Sequence, residues 1–437
     1  MKNKKNKAEK SLTQLGSAAV TSHTVNTEEK TQPSYQTVTE IMDWGAAITK
    51  VIVGLGKPVP VNSVSKETFL VHVERYDRRL ENPFLQEGNR IVKNAYVSDK
   101  HGNPAKKMGK YAVLEMEISP TLSLSSAINY DWEGTGFNDW TNNQYTITQQ
   151  KSIQTSDGTI SELVINTFTG GVRELVDDFT TGKATYDNVT LTYADYSPAK
   201  NNGKNPLVIW LHGAGEGGTD PTIAIAGNKA ANFASEEIQA YFNGAYVLAP
   251  QTPSFWMDGL TEFGDGTSKY QKALMALIKD YVAQNKNIDH SRIYIGGDSN
   301  GGYMTMLMIR DYPEYFAAAF PTCEALKDSL IKDEEIQRMK NLPIWFIAAK
   351  TDTVVNPNQY TVPTYNRLIE AGAKNVHLSL FDHVIDTSGF YKNSDGTPYE
   401  YDGHWSWIYV YNNEVTNTIN GKTTTLMEWL TEQSLKN

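Results

Sequence analysis

The pentad Gly297-Asp298-Ser299-Asn300-Gly301 sets one hydroxyl between glycines. Serine becomes a nucleophile only when a base takes its proton and an acid orients that base. The pattern G-x-S-x-G is short enough to arise by chance, so its weight rests on what flanks it. Before it, "RIYI" reads as a buried strand, and after it "YMTMLMIRDY" reads as a helix. A serine on such a strand-turn-helix elbow is thrust outward on a strained backbone, and the small neighbours Gly297 and Gly301 are what that turn tolerates. The plain alternative is a glycine-rich turn with a helix-capping serine.

Where a nucleophile stands on this kind of elbow, the acid and then the base follow it in the chain. His377, His383 and His404 lie downstream. His377 alternates inside the strand-like "NVHLSLFD", which suits a paired structural histidine. His383 follows at that strand's end. His404 sits in the glycine-flanked "YDGHWSWIYVYNN" just before a new ordered segment, and is the expected base, with His383 second. For the acid, "LPIWFIAAKTDTVVNPNQY" reads as a buried strand that ends in small residues and releases Asp352 at its carboxyl end, where a carboxylate can accept the base's second N–H. Glu324 in "FPTCEA" is the second choice.

A tetrahedral intermediate needs hydrogen-bond donors for its oxyanion. The elbow supplies the Asn300 amide. The glycine-rich "LHGAGEGG" after the strand "LVIW" supplies another, with Ala214 the expected donor and Gly215 the second choice and a candidate to contact substrate. That loop lacks the G-x-G-x-x-G spacing of a dinucleotide site, and His212 reads as an organiser of the loop. No His/Cys/Asp/Glu cluster shows catalytic-metal spacing, so neither metal nor cofactor is expected. Phe255 and Trp256 in "TPSFWMDG", and Trp405 and Trp407 beside His404, are candidates to wall a substrate pocket, with core packing the equal alternative.

The elements that must position these groups change character along the 437 residues. Residues 1–38 are rich in Lys, Thr, Ser, Asn and Glu and read as a disordered tail. From 39 to 170, short alternating runs such as "AAITKVIVGL", "TFLVHVERY", "NRIVKNAYV", "KYAVLEMEI" and "NQYTITQQKSI" predict a β-sandwich. In "TFLVHVERY", Phe69, Val71 and Val73 face one way and His72 and Glu74 the other. From 171 to 437, near-continuous apolar runs ("PLVIWLH", "GAYVLAP", "SRIYIGG", "LPIWFIAA", "VHLSLFD") alternate with helix-like segments ("KYQKALMALIKDYVAQN", "PTYNRLIEAGA"). That rhythm predicts a mostly parallel sheet with helices on both faces and its site at the carboxyl ends of the strands.

Composition narrows the partners. A formal net charge of -10 offers no basic face for phosphates, so no nucleic-acid partner is expected. No apolar run is long enough for a membrane span. The single cysteine, Cys323, rules out an intramolecular disulfide. The opening "MKNKKNKAEKSLTQLGSAAV" is basic but has no apolar run of secretory type, so a cytoplasmic location is the expectation.

Together, "LHGAGE", "GGDSNGGYM", "AAKTDTVV" and "GHWSW" resemble the α/β-hydrolase superfamily, and most of all its bacterial esterases and predicted peptidases with an N-terminal immunoglobulin-like domain. The stretch "DWGAAITKVIVGLGKPV" is similar to the opening strand of that domain. The resemblance implies an α/β-hydrolase fold preceded by an all-β immunoglobulin-like sandwich. It also implies a serine hydrolase, usually of short-chain carboxylic esters, working through an acyl-enzyme without a cofactor. By position Ser299 is then the nucleophile, Asp352 the acid and His404 the base, with Ala214 and Asn300 shaping the oxyanion hole. The expected partner is a small-molecule or oligomeric ester, and a homo-oligomer stays open. A serine peptidase of the prolyl-oligopeptidase-like type, and a non-catalytic carbohydrate-binding or adhesion protein, are the alternatives.

Overall fold

The protein is described by a computed structural model covering residues 32–199 and 203–435. The first part is a sandwich of two sheets. Its strands are β1 (Ser34–Met42), β2 (Gly45–Pro60), β3 (Phe69–Tyr76), β4 (Phe84–Arg90), β5 (Val92–Ser98), β6 (Met108–Met116), β7 (Ile128–Tyr130), β8 (Asn138–Trp140) and β9 (Asn142–Gln149). A small hairpin of β10 (Ile153–Thr155) and β11 (Gly158–Ile160) follows, then β12 (Val164–Ile165) and β13 (Phe168–Arg173). One sheet runs β13-β1-β2-β6-β5 and the other β12-β9-β3-β4, while β7 and β8 form a separate hairpin. In β3 burial alternates as expected, with Phe69, Val71 and Val73 inward. The run "NRIVKNAYV" divides between β4 and β5, because Ile91 breaks the ladder and is 58% exposed.

Two expected boundaries move. Residues 34–38, assigned to the tail, belong to β1, and the rest of the expected tail up to residue 31 lies outside the described residues. Tyr35 is the reason: its ring is buried edge-on to Tyr145, and its hydroxyl accepts the Tyr145 amide at 3.0 Å. At the other end, β13 pairs in parallel with β1 across residue 170, so the sandwich runs to Arg173 and the next sheet starts at Thr180.

That sheet holds eight strands in the order β14-β15-β17-β16-β18-β19-β20-β21. They are β14 (Thr180–Tyr186), β15 (Val189–Tyr196), β16 (Asn205–Leu211), β17 (Tyr246–Gln251), β18 (Ile288–Asp298), β19 (Ala318–Thr322), β20 (Ile344–Ala349) and β21 (Val376–Phe381). The β14-β15 and β15-β17 pairs are antiparallel and the others parallel. Every residue of β16, β17, β19 and β20 is buried, as a sheet covered on both faces requires. Each large aliphatic side chain so buried contributes about 1.5–3 kcal/mol. The α-helices among the described residues are α1 (Ile223–Ala226), α2 (Glu236–Phe242), α3 (Gln271–Gln284), α4 (Asn300–Asp311), α5 (Asp333–Met339), α6 (Thr361–Glu370), α7 (Trp407–Tyr411) and α8 (Leu426–Thr431). Among the described residues no helix is long and apolar enough to cross a membrane.

The two parts are not loosely strung. Val51, Val71 and Leu114 of the sandwich belong to the same apolar cluster as Trp210, Phe233 and Trp345 of the α/β part. Polar ties run alongside it: Trp140 Nε1 donates to Thr222 Oγ1 at 2.8 Å, and Lys229 Nζ meets Asp43 Oδ1 at 2.9 Å.

Candidate functional site

Ser299 joins β18 to α4 with φ 54° and ψ -112°. A residue with a Cβ sits there only under constraint, at a cost on the order of 1–3 kcal/mol. The constraint is visible on both sides: the Ser299 amide donates to Thr322 O at 3.0 Å, and its carbonyl accepts from the Tyr303 amide at 2.8 Å. The flanking glycines are explained by close approach rather than by a left-handed backbone. A Cβ on Gly297 would lie 2.6 Å from both Gly301 O and Leu211 O. One on Gly301 would lie 1.9 Å from Leu211 O, so α4 rests directly on the end of β16.

His404 Nε2 stands 2.9 Å from Ser299 Oγ, and His404 Nδ1 stands 2.8 Å from Asp352 Oδ2. All three side chains are buried. A carboxylate facing Nδ1 holds the proton on that nitrogen, which leaves the Nε2 lone pair to accept the serine hydroxyl. Asp352 leaves the carboxyl end of β20, and its other oxygen, Oδ1, accepts the amides of Val354 at 2.9 Å and Val355 at 2.8 Å. His404 is brought across by the turn before α7, where Asp402 Oδ1 caps the His404 amide at 2.8 Å. That turn lies against the Asp352 loop so tightly that a Cβ on Gly403 would meet Thr351 C at 2.3 Å. The other downstream histidines are elsewhere. His383 is exposed and pairs with Glu400 at 2.7 Å, while His377 bonds Asn375 and packs between Trp345 and Trp429. Glu324 is buried, accepts the Leu326 amide at 2.8 Å and has burial raising its pKa well above the carboxylate range; its hydrogen bond goes to that loop and not to His404.

Ala214 begins a half-buried turn, Ala214–Glu216, next to the elbow. Asn300 opens α4, where the first amides of a helix have no intrahelical acceptor. Beneath the loop, His212 is held neutral: burial lowers its pKa to about 4, Nδ1 donates to Gly213 O at 2.6 Å, and Nε2 accepts the Thr252 amide at 3.2 Å. Trp256, considered as a pocket wall, is instead a support. It is fully buried, its amide donates to Asn300 Oδ1 at 2.6 Å and its indole N–H to His212 O at 3.2 Å, so it ties the two loops together from below. Trp405 is half-buried, stacked between Tyr401 and Trp407 with centroids 6.0 Å from each. Gly215 is half-buried, and a Cβ there would meet Asn138 Nδ2 at 3.1 Å and the Tyr130 ring at 3.6 Å. Both belong to the sandwich.

This last contact was not legible in the sequence. The β7–β8 hairpin of the sandwich reaches the loop after β16, and Asn138 Nδ2 donates to Glu216 Oε1 at 3.0 Å and to Gly215 O at 3.3 Å. Phe137 from the same hairpin packs on Phe255 with centroids 5.3 Å apart. For metals, the described residues offer one group, His72, Glu74 and Glu87, with ligand atoms within 4.8 Å of one another; it lies on the β3–β4 face of the sandwich and not beside Ser299.

Known proteins agree with this architecture. Residues 34–162 match the family described as "Esterase Ig-like N-terminal domain", and residues 271–327 match "Prolyl oligopeptidase family". A solved thermostable esterase superposes with TM-score 0.74 over 92% of this chain and 99% of its own, at 28% identity. The chain has an α/β-hydrolase fold preceded by an esterase-type immunoglobulin-like domain. Among curated proteins, this chain is 30% identical over 127 residues to feruloyl esterase B of Neurospora crassa, covering 28% of its own length and 40% of that one. It is 29% identical over 126 residues to poly(3-hydroxybutyrate) depolymerase of Ralstonia pickettii, covering 28% and 25% respectively. The chain thus spans less than half the length of these curated relatives.

Proposed function

We propose that the protein is a serine hydrolase of carboxylic esters, with Ser299 as nucleophile, His404 as general base and Asp352 as the acid that orients it. The observation that carries this reading is the unbroken relay from Ser299 Oγ through His404 to Asp352, with the serine on a strained turn at the head of a helix. In the first half-reaction Nε2 takes the hydroxyl proton while Oγ bonds to the acyl carbon, and the carbonyl electrons move onto oxygen. The amides of Asn300 and Ala214 receive that oxyanion, each such donor contributing about 2.7–4 kcal/mol in the transition state. The C–O bond to the alcohol then breaks and the alcohol leaves with the proton from His404. Water repeats the sequence on the acyl-enzyme and frees the acid.

Esters are favoured as substrate because the relatives named above are a feruloyl esterase and a polyester depolymerase, and the superposed structure is an esterase. Short acyl chains are the proposed preference. The match of residues 271–327 to the prolyl oligopeptidase family supports a second reading, a serine peptidase using the same relay. Assaying p-nitrophenyl esters of increasing acyl length beside peptide p-nitroanilides separates the two. Acetate and butyrate esters are expected to turn over fastest; peptide cleavage with negligible ester turnover would replace the first reading by the second. A non-catalytic binding protein would not react with a fluorophosphonate, whereas Ser299 is expected to label.

The base assignment has its own check. His404→Ala is expected to lower kcat by about 10⁴-fold or more, as for other members of such relays. His383→Ala is expected to keep wild-type turnover, because its partner is the exposed Glu400. The reverse pattern in kcat would displace His404 from the mechanism.

A further inference from the structure

Two carboxyl groups that the proposed mechanism does not use lie directly under the site. Asp298 immediately precedes the nucleophile, and Glu216 ends the turn that begins at Ala214. They are 1% and 4% exposed. Both crowd the α-carbon of Gly213, where a Cβ would lie 2.7 Å from Asp298 Oδ2 and 3.1 Å from Glu216 Oε2. One amide serves both: Asn228 Nδ2 donates to Asp298 Oδ2 at 3.0 Å and to Glu216 Oε2 at 3.4 Å. The remaining Glu216 oxygen accepts from Asn138 of the sandwich at 3.0 Å, and the Asp298 carboxyl has the Trp210 side chain as a further neighbouring donor.

Two full charges do not persist in that arrangement. Burying two carboxylates with no cation beside them is costly, and like charges in one dry site raise each other's pKa. Burial pushes Glu216 up to about 7, and burial together with the charge of Glu216 pushes Asp298 well above the usual carboxylate range. The titratable groups that face the pair are Tyr130 from β7, Tyr411 from α7 and Cys323 after β19. Burial raises each of these three, so none of them supplies a counter-charge.

We propose that Glu216 and Asp298 are positioning residues: a carboxyl pair that holds one proton between them, bridges the oxyanion loop to the nucleophile elbow through Asn228, and is latched to the sandwich by Asn138. The inference rests on the serine-hydrolase reading for what is positioned. While one proton remains, the pair is cohesive and the Ala214 amide stays over the elbow. When the second proton leaves, repulsion lifts the Ala214–Glu216 turn. The linkage has a definite sign. Both folded-state pKa values are raised, so the pair's contribution to stability is full below the ordinary carboxylate range and is lost as pH rises, through about 7 for Glu216 and higher for Asp298.

The test compares Glu216→Gln, Asp298→Asn, Glu216→Ala and Asn138→Ala in the full-length protein, using p-nitrophenyl acetate and thermal melts between about pH 5 and pH 10. Either amide variant limits the pair to at most one negative charge and supplies an N–H in place of a carboxyl O–H. Both are expected to keep kcat within about threefold at neutral pH, to flatten the alkaline fall in kcat, and to lessen the loss of melting temperature with rising pH. Glu216→Ala removes the bridge and is expected to lower kcat by about 10²-fold with a smaller change in KM, the effect of a displaced donor. Asn138→Ala is expected to lower kcat in the same sense but less, and it keeps the test open if Glu216→Ala does not fold. An amide variant as slow as Glu216→Ala, an alkaline limb unchanged in Glu216→Gln, or a wild-type kcat flat to about pH 10 would each overturn the proposal. Failure of the esterase reading looks different: the wild type would neither label with a fluorophosphonate nor turn over esters, and the pair would be judged by the melts. Equal pH dependence of melting in wild type and Glu216→Gln would then refute it.

Discussion

Ser299→Ala is expected to lower ester hydrolysis by roughly 10⁴- to 10⁶-fold while leaving the protein folded. The size follows from the relay acting as a unit. Without Oγ there is no acyl-enzyme, and His404 has only water to activate from a position set for a hydroxyl 2.9 Å away. What remains is the contribution of the oxyanion amides and of binding, which is why loss of the nucleophile stops short of the uncatalysed rate. The fold is indifferent by comparison. Alanine at φ 54° bears the same backbone strain as serine, since the strain comes from Cβ, and the hydrogen bonds that hold the turn are made by the Ser299 amide and carbonyl. The measurement is kcat on p-nitrophenyl acetate with a melting curve from the same preparation. An unchanged melting temperature with activity above a tenth of wild type would mean that another residue carries the chemistry.

Much of this arrangement was written locally in the sequence. A buried strand, a glycine-flanked serine and a helix stand in direct succession from Arg292 to Arg310, so periodicity and residue size alone place Ser299 on an elbow. Asp352 and His404 were legible for a related reason: each follows or precedes a recognisable element, and chain order restricts which histidine can return to the serine. Their convergence across 52 residues was inferred from that order, and the contact is made by loops packed on Gly403 and Thr351.

What was not legible is what depends on two distant stretches meeting. Trp256 lies in "TPSFWMDG", where nothing local separates a wall from a prop, and only its bonds to Asn300 and His212 decide for a prop. Asn138 is an ordinary polar residue of a three-residue strand, 78 positions from Glu216, and no spacing rule connects them. The domain borders failed for a subtler reason. The strand "SYQTVTEIM" is polar by composition but half-buried by alternation, and "FTGGVR" hides a parallel edge strand behind two glycines.

Gly301→Ala is expected to cost stability and activity together. Intrinsic propensity argues the other way, since alanine inside a helix is favoured over glycine by about 0.5–1 kcal/mol, and Gly301 is a helical residue of α4. Packing decides the sign. The added methyl would sit 1.9 Å from Leu211 O, 2.4 Å from Leu211 C and 2.5 Å from His212 O, all backbone atoms at the end of a fully buried strand that cannot turn aside. Overpacking a core costs about 1–3 kcal/mol where side chains give way, and here the relief available is a shift of α4 away from β16. A shift of about 1 Å moves Ser299 and the Asn300 amide off His404 and the oxyanion position, enough for about a 10²-fold loss in kcat. Gly54→Ala is the matched control: its Cβ would meet the Tyr111 ring at 3.4 Å and Ser34 at 3.5 Å, which is ordinary contact, so melting and turnover should stay near wild type. Differential scanning calorimetry beside p-nitrophenyl acetate kinetics reads both variants. If Gly301→Ala melts and turns over like Gly54→Ala, then the helix is not seated on β16 as tightly as the elbow requires, and glycine there serves the turn rather than the contact.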